Sequence, residues 1–208
     1  MKRYKFLKLK NKKIISSYNE KFKWEIGKWY KTDGELSMCE NGFHCSIQPS
    51  DAFYYVSGEV LAIVETKGKS IEQLDKQCWE QMRIVKAYGW TKKDSIALAI
   101  YSAELVLPNF EKEYPDDDRP RKAIEAAKKV LENDTKKNRS AARSAAWGAE
   151  SAAASAAWSA AASAAASAAW GARSAAWSAA ASAAWGAESV STRINKWMIK
   201  HINELEEI

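Results

Sequence analysis

A chain of 208 residues has room for one or two domains. Its 47 % hydrophobic content is inflated by alanine, which buries little area, so the ten Trp and the other large side chains must anchor any core. The net charge of +6 is uneven: residues 1–31 hold eleven Lys/Arg against Glu20 and Glu25, so the remainder is net −3, and three cysteines exclude a disulfide framework.

In chain order, residues 1–90 read as β-type patches broken by turns. YKFLKLK alternates between residue classes, and KNKK turns it into KIISSY. FKWEIGKWY reads as a strand interrupted at Gly27, and GFHCSI as a short strand after the Asn41-Gly42 turn signal. Pro49-Ser50-Asp51 opens a short helix, AFYYV. EVLAIVETKG is the best strand, bracketed by Gly58 and Gly68, and QMRIVKAY is a further one.

The period then changes. Thr91 and Asp94 have capping-box spacing ahead of DSIALAIYSAELVL, a helical pattern expected to stop before Pro108. NFEKEYPDDDRP reads as a connector. Asp118 is placed to cap the next helix and Pro120 to occupy its first turn; RKAIEAAKKVLEN then puts Ile124, Ala127, Val130 and Leu131 on one face. Capping, or an ion pair to Arg119 or Arg121, accounts for the run Asp116–Asp118.

Residues 139–189 form a repeat. Most units are Ser-Ala-Ala-x, and shorter Gly-Ala-x units begin at Gly148, Gly171 and Gly186. All charges and Trp of the repeat fall in the x column: Arg139, Arg143, Trp147, Glu150, Trp158, Trp170, Arg173, Trp177, Trp185 and Glu188. A four-residue step turns that column about 40° one way on an α-helix and a three-residue step about 60° back, so the short units hold one stripe in phase. The mean step is about 3.8 residues, which favours right-handed supercoiling of a long helix. Glycine at the short units allows either a close helix neighbour or a helix end. The repeat is therefore an antiparallel array folded back at Gly148, Gly171 and Gly186, or one long supercoiled helix. TRINKWMIKHINELEEI closes with an apolar stripe of Ile194, Trp197, Met198, Ile202 and Leu205, with His201 at a packing or surface position.

The expected architecture is α+β: a small β-rich domain (1–90), a two-helix connector (91–138), and an Ala/Ser/Trp helical region with a terminal amphipathic helix (139–208). Residues 151–172 carry no charge, yet Ser recurs and Ala is barely apolar, so no membrane span is expected. The basic start lacks the apolar run of a signal peptide, and sparse cysteines suit the reducing cytoplasm of a bacterial host.

Three stretches carry resemblances. AELVLPNFEKEYPDDDRPRKAIEAAKKVLE, within residues 98–134 and followed by Ala-rich helices, resembles a bacterial immunity-protein family of polymorphic toxin systems. That likeness implies an all-helical fold that neutralises a toxin by binding it. YKFLK, YNEKFKWEIGKWYK, CENGFHCSIQPSDAFYY and EVLAIVETKG, within residues 3–68, resemble an uncharacterised domain of phage and prophage proteins. GFHCSIQPSDAFYYVSGEVLAIVETKG is similar in order to the centre of ADP-ribosyltransferases related to poly-ADP-ribose polymerases. That likeness implies an NAD pocket beside the short helix and makes Glu80, on a later strand, the candidate catalytic acid.

The favoured reading is a non-enzymatic, phage- or prophage-type inhibitor of a toxin or bacterial defence effector, working by protein–protein contact and needing no cofactor. Its candidate contacts are Trp147, Trp158, Trp170, Trp177 and Trp185, with Arg143 and Arg173 beside them; Trp and Arg are common interface anchors. The same Trp residues could instead form an internal core or a homo-oligomer seam. The basic N-terminal face could meet nucleic acid, and a self-assembling phage component is a further alternative. Cys39, His44, Cys45 and Cys78 are candidate zinc ligands, though no paired Cys-x2-Cys knuckle is present; buried reduced thiols beside a hydrogen-bonded His are the other reading. No phosphate loop, metalloprotease motif or nucleophile elbow occurs, and two histidines leave few members for a Ser–His or Cys–His system.

Overall fold

The computed structural model describes residues 2–56, 58–163 and 189–208, with side chains except at 151–163. The chain divides into two compact units. The first joins residues 1–91 to 195–208, and the second is residues 92–194. Residues 195–208, which their helical pattern groups with the repeat, thus cluster with the sheet.

The first unit is an antiparallel sheet. Among the described residues its strands are β1 (Arg3–Lys10), β2 (Lys13–Ile15), β3 (Lys23–Trp24), β4 (Tyr30–Lys31), β5 (Phe43–Cys45), β6 (Val60–Glu72) and β7 (Gln77–Gly89). They run in the order β3-β2-β1-β6-β7-β4, with β5 also on β7. KNKK makes the expected turn: Asn11 and Lys12 both have φ near +55°, the left-handed pair of a two-residue hairpin. β6 does not end at Gly68, as the sequence suggests. Gly68 (φ +86°) and Lys69 together face Glu80, a glycine bulge that bends the strand and lets it run on to Glu72.

The two faces of the sheet follow from strand alternation. Val60, Ala62 and Val64 face a core with Leu7, Ile14, Trp24, Met82 and Ile84, edged by the rings of Phe22, Tyr30 and Phe43. Phe6 and its cross-strand partner Leu61 belong to the other set. Phe6 meets Phe53 of the short helix α1 (Pro49–Tyr55) and Trp90 edge-on, at 5.1 and 5.4 Å between ring centroids. On this side lie residues 195–202, the part of α5 (Val190–Ile202) that belongs to the unit. Asn195 Oδ1 accepts the Ser50 amide (3.0 Å), a donor of α1's first turn with no partner inside its own helix. His201 stacks on Trp197 (4.6 Å) and meets Trp90 edge-on (5.8 Å), so of the packing and surface positions open to it, it takes a packing one. Met198 and Ile202 are buried. Residues 206–208 then pair with the free edge of β7: Gly89 N–H donates to Glu206 C=O and Ile208 N–H to Ala87 C=O, both 2.9 Å.

The second unit contains α2 (Lys92–Glu113), α3 (Arg119–Glu132) and α4 (Lys136–Ser163). α2 does not stop before Pro108 but passes through it, which shortens the expected connector to residues 114–118. Pro108 withholds an amide from the Glu104 carbonyl. Residue 104 is exposed, so water can serve that oxygen, while Leu107 is buried beside the proline and holds the helix in place. Ile100, Leu107 and Ile124 form the α2/α3 core, joined by Ile96, Ala103, Ala127 and Leu131. Asp118 stands at the N-cap of α3 but makes no capping bond; it pairs with Lys122 (2.8 Å), and Asp117 accepts the Arg119 amide (3.2 Å). Arg121 pairs with Glu111 rather than with the aspartates. Among the described residues, no helix is long and apolar enough to cross a membrane.

Candidate functional site

The strongest candidate surface is built on α4. Thr135 caps it, its hydroxyl accepting the Asn138 amide (3.1 Å). The Asn138 side chain donates to the carbonyls of Lys129 and Asn133, closing the end of α3 onto the start of α4. The half-covered residues of α4 then recur at Asn138, Ala142, Ala145, Gly148 and Ala149, and α3 is the neighbour on which α4 packs. Small residues at those steps let two helix backbones lie close.

The x column takes another direction. Arg139, Arg143, Trp147 and Glu150 are all exposed, and Trp147 keeps 69 % of its surface. Arg139 pairs with Asp134 (2.9 Å). Arg143 and Trp147 are thus both exposed along this column. Trp158 lies further along α4. Trp170, Arg173, Trp177 and Trp185 lie outside the described residues. The helix is continuous through Gly148, and a methyl there would meet no other described atom within 4 Å. The chain therefore does not fold back at this position, and no helix among the described residues crosses closely there. Gly171 and Gly186 lie outside the described residues.

The other candidates have structural partners. Glu80 lies on β7 and pins the β6 bulge: it accepts the Lys69 amide (3.2 Å) and pairs with Lys31 (3.2 Å). Those two contacts hold its carboxyl below the usual range, the Lys69 amide contributing most. His44 Nε2 accepts the Cys39 amide (3.0 Å), and burial, then Lys5 and Lys76, lower its pKa, which favours the neutral ring that this role needs. Lys76 donates to the Cys39 thiol (3.2 Å). Cys45 sits in the sheet core, where burial pushes its thiol up to about 12; burial also raises Cys78, whose thiol faces the Asn41 carbonyl (3.4 Å). Neighbouring strand residues point to opposite faces, which separates His44 from Cys45. Among the described residues no three His, Cys, Asp or Glu side chains gather as a metal-binding group.

This arrangement predicts thiol reactivity. In a titration of the folded chain with an aromatic disulfide reagent, exposed Cys39 reacts rapidly, while Cys45 and Cys78 react only after denaturant is added. Rapid reaction of all three thiols without denaturant would contradict the burial described above.

Sequence reasoning missed the Ser50–Asn195 link, because nothing local marks partners 145 positions apart. It also missed the cluster in which Lys67 and Arg83 flank the Trp29 ring at 4.2 and 5.0 Å.

An antiparallel sheet unit followed by a helical unit defines an α+β protein that presents a charged and aromatic helix stripe. Residues 90–204, more than half of the chain, match the family model described as Imm-5 like putative immunity protein, and the chain belongs to that family. Residues 1–94 match the model of a domain of unknown function (DUF7666). No curated protein and no solved structure matches the chain.

Proposed function

We propose that the chain is a non-enzymatic inhibitor that neutralises a toxin or a bacterial defence effector by direct protein contact. The family match across the helical unit carries this reading. The outward stripe of α4 supports it physically. Trp and Arg are enriched among the residues that anchor protein interfaces, and here an exposed indole and a guanidinium stand one turn apart on the same helix. In this reading Arg143 and Trp147 begin a contact surface that Trp158, Trp170, Arg173, Trp177 and Trp185 extend. The likeness of the sheet unit to phage and prophage domains supports a mobile-element origin.

The test starts with affinity capture on the full chain from host lysate, at moderate salt and with nuclease. The captured partner is purified and its affinity measured by calorimetry. Trp147→Ala is expected to weaken binding about 30-fold, equivalent to about 2 kcal/mol, and Arg143→Glu to weaken it comparably. Neither change should move the melting temperature by more than about 2 °C, since both side chains are exposed. A partner held equally by both variants, or no stoichiometric partner, would count against the proposal.

A further inference from the structure

Beside the β1–β2 turn, the sheet unit has an open groove of about 780 Å³. Its floor includes buried Trp24 together with Leu9 and Ile26, which stay 42 % and 47 % exposed although they are aliphatic. Lys12, Lys13 and Lys23 are among its lining residues. Nearby lysines are neutralised: Lys8 and Lys10 share Glu20 (2.9 Å each), and Lys28 holds Glu25 (2.7 Å). Lys12, Lys13 and Lys23 form no ion pair among the described residues; Glu25 and Glu206 also line the groove, and with Glu25 held by Lys28 the lining pairs apolar surface with an excess of cations.

The backbone adds a third element. β3 is an edge strand. Ser16 N–H donates to Phe22 C=O (2.9 Å), and Ile14 faces Trp24 two residues on. Inward-bonded pairs alternate along an antiparallel ladder, so Lys23, between them, turns its own N–H and C=O away from β2 toward the open edge.

We propose that this groove docks an extended peptide segment of a protein partner in which acidic and apolar residues alternate. Alternate side chains of such a strand point in opposite directions, and the edge at Lys23 offers it one donor and one acceptor. Its carboxylates answer Lys12, Lys13 and Lys23, while its apolar side chains cover Leu9 and Ile26. A nucleic acid fits less well, because aliphatic surface offers nothing to phosphates. The site lies in the sheet unit, contains neither Arg143 nor Trp147, and stands independently of the inhibitor reading.

Fluorescence anisotropy on the full chain tests it. The probe is a fluorescein-labelled dodecapeptide of alternating Glu and Val. The controls are the same peptide with Lys in place of Glu, an all-Glu peptide and an oligothymidine strand. The alternating acidic peptide is expected to bind saturably and to outcompete every control. The triple variant Lys12→Glu/Lys13→Glu/Lys23→Glu should weaken it about tenfold or more, and Ile26→Asp comparably. Lys21→Glu, which carries an equally exposed charge outside the groove, should stay within about twofold. Circular dichroism melts would confirm that each variant is folded. Absent peptide binding, equal binding of the Lys peptide, tighter binding of the oligonucleotide, or full affinity in the folded triple variant would each overturn the proposal.

Discussion

Replacing Gly58 by alanine is expected to destabilise the sheet unit by about 3 kcal/mol or more. Gly58 lies just before β6, against Leu7 of β1. A Cβ there would stand 2.8 Å from the Leu7 carbonyl carbon and closer still to its oxygen. Those atoms are backbone, and Leu7 is held in register against Val60, so no side chain can swing aside to make room. Alanine also restricts the unfolded chain, an effect of about 0.4–1 kcal/mol in the opposite direction and too small to compensate. Gly148→Ala is the matched comparison. In the middle of α4, with open space around it among the described residues, the same methyl should stabilise by up to about 1 kcal/mol. Urea denaturation of both variants reads the contrast. A Gly58→Ala cost below about 1 kcal/mol would mean that β1 and β6 are not as close as described.

Truncating Met198 should have an effect of similar size. Its side chain has no solvent-accessible surface, and Met→Ala in such a position costs about 2–5 kcal/mol through lost burial and the cavity left behind. Methionine and alanine are both good helix formers, so the loss would come from packing rather than from the helix itself. Ile199→Ala, one position on and facing water, should cost about 0.5 kcal/mol or less. The damage should also spread along the chain, because α5 leads directly into residues 206–208. In hydrogen exchange, the Gly89 and Ile208 amides should lose protection in Met198→Ala before those of β1 and β6 do. Unchanged protection at both amides would show that the 206–208 pairing holds without α5.

Much of this fold was legible in the sequence. Val60–Val64 has the β-branched run of a buried strand, and residues 121–133 carry a clean helical stripe, because each pattern is set by the local backbone period. Gly68 and Pro108 were misread for a common reason. A glycine marks a special φ without saying whether the strand ends or bulges. A proline removes one amide without saying whether buried neighbours hold the helix together. The site was half legible. Periodicity placed Arg143 and Trp147 on one stripe, but a period defines a stripe and not what it faces. Only the alanine face of α4, set against α3, shows that this indole points outward. The groove was less legible still. Its lysines stood out as local charge, but the exposed aliphatic floor depends on where Leu9 and Ile26 meet in space.

The split make-up of the sheet unit bears on how the chain is made. Translation finishes β7 well before residues 206–208, and the whole of residues 92–194 is synthesised in between. At about 5–20 residues per second, that interval is roughly 5–20 s. Throughout it, the Ala87 carbonyl and the Gly89 amide of the nascent chain lack the partners that complete them. An open strand edge invites pairing with other chains. The family's helical region therefore does more than display a stripe: its length sets how long a growing chain must be shielded before the sheet can close.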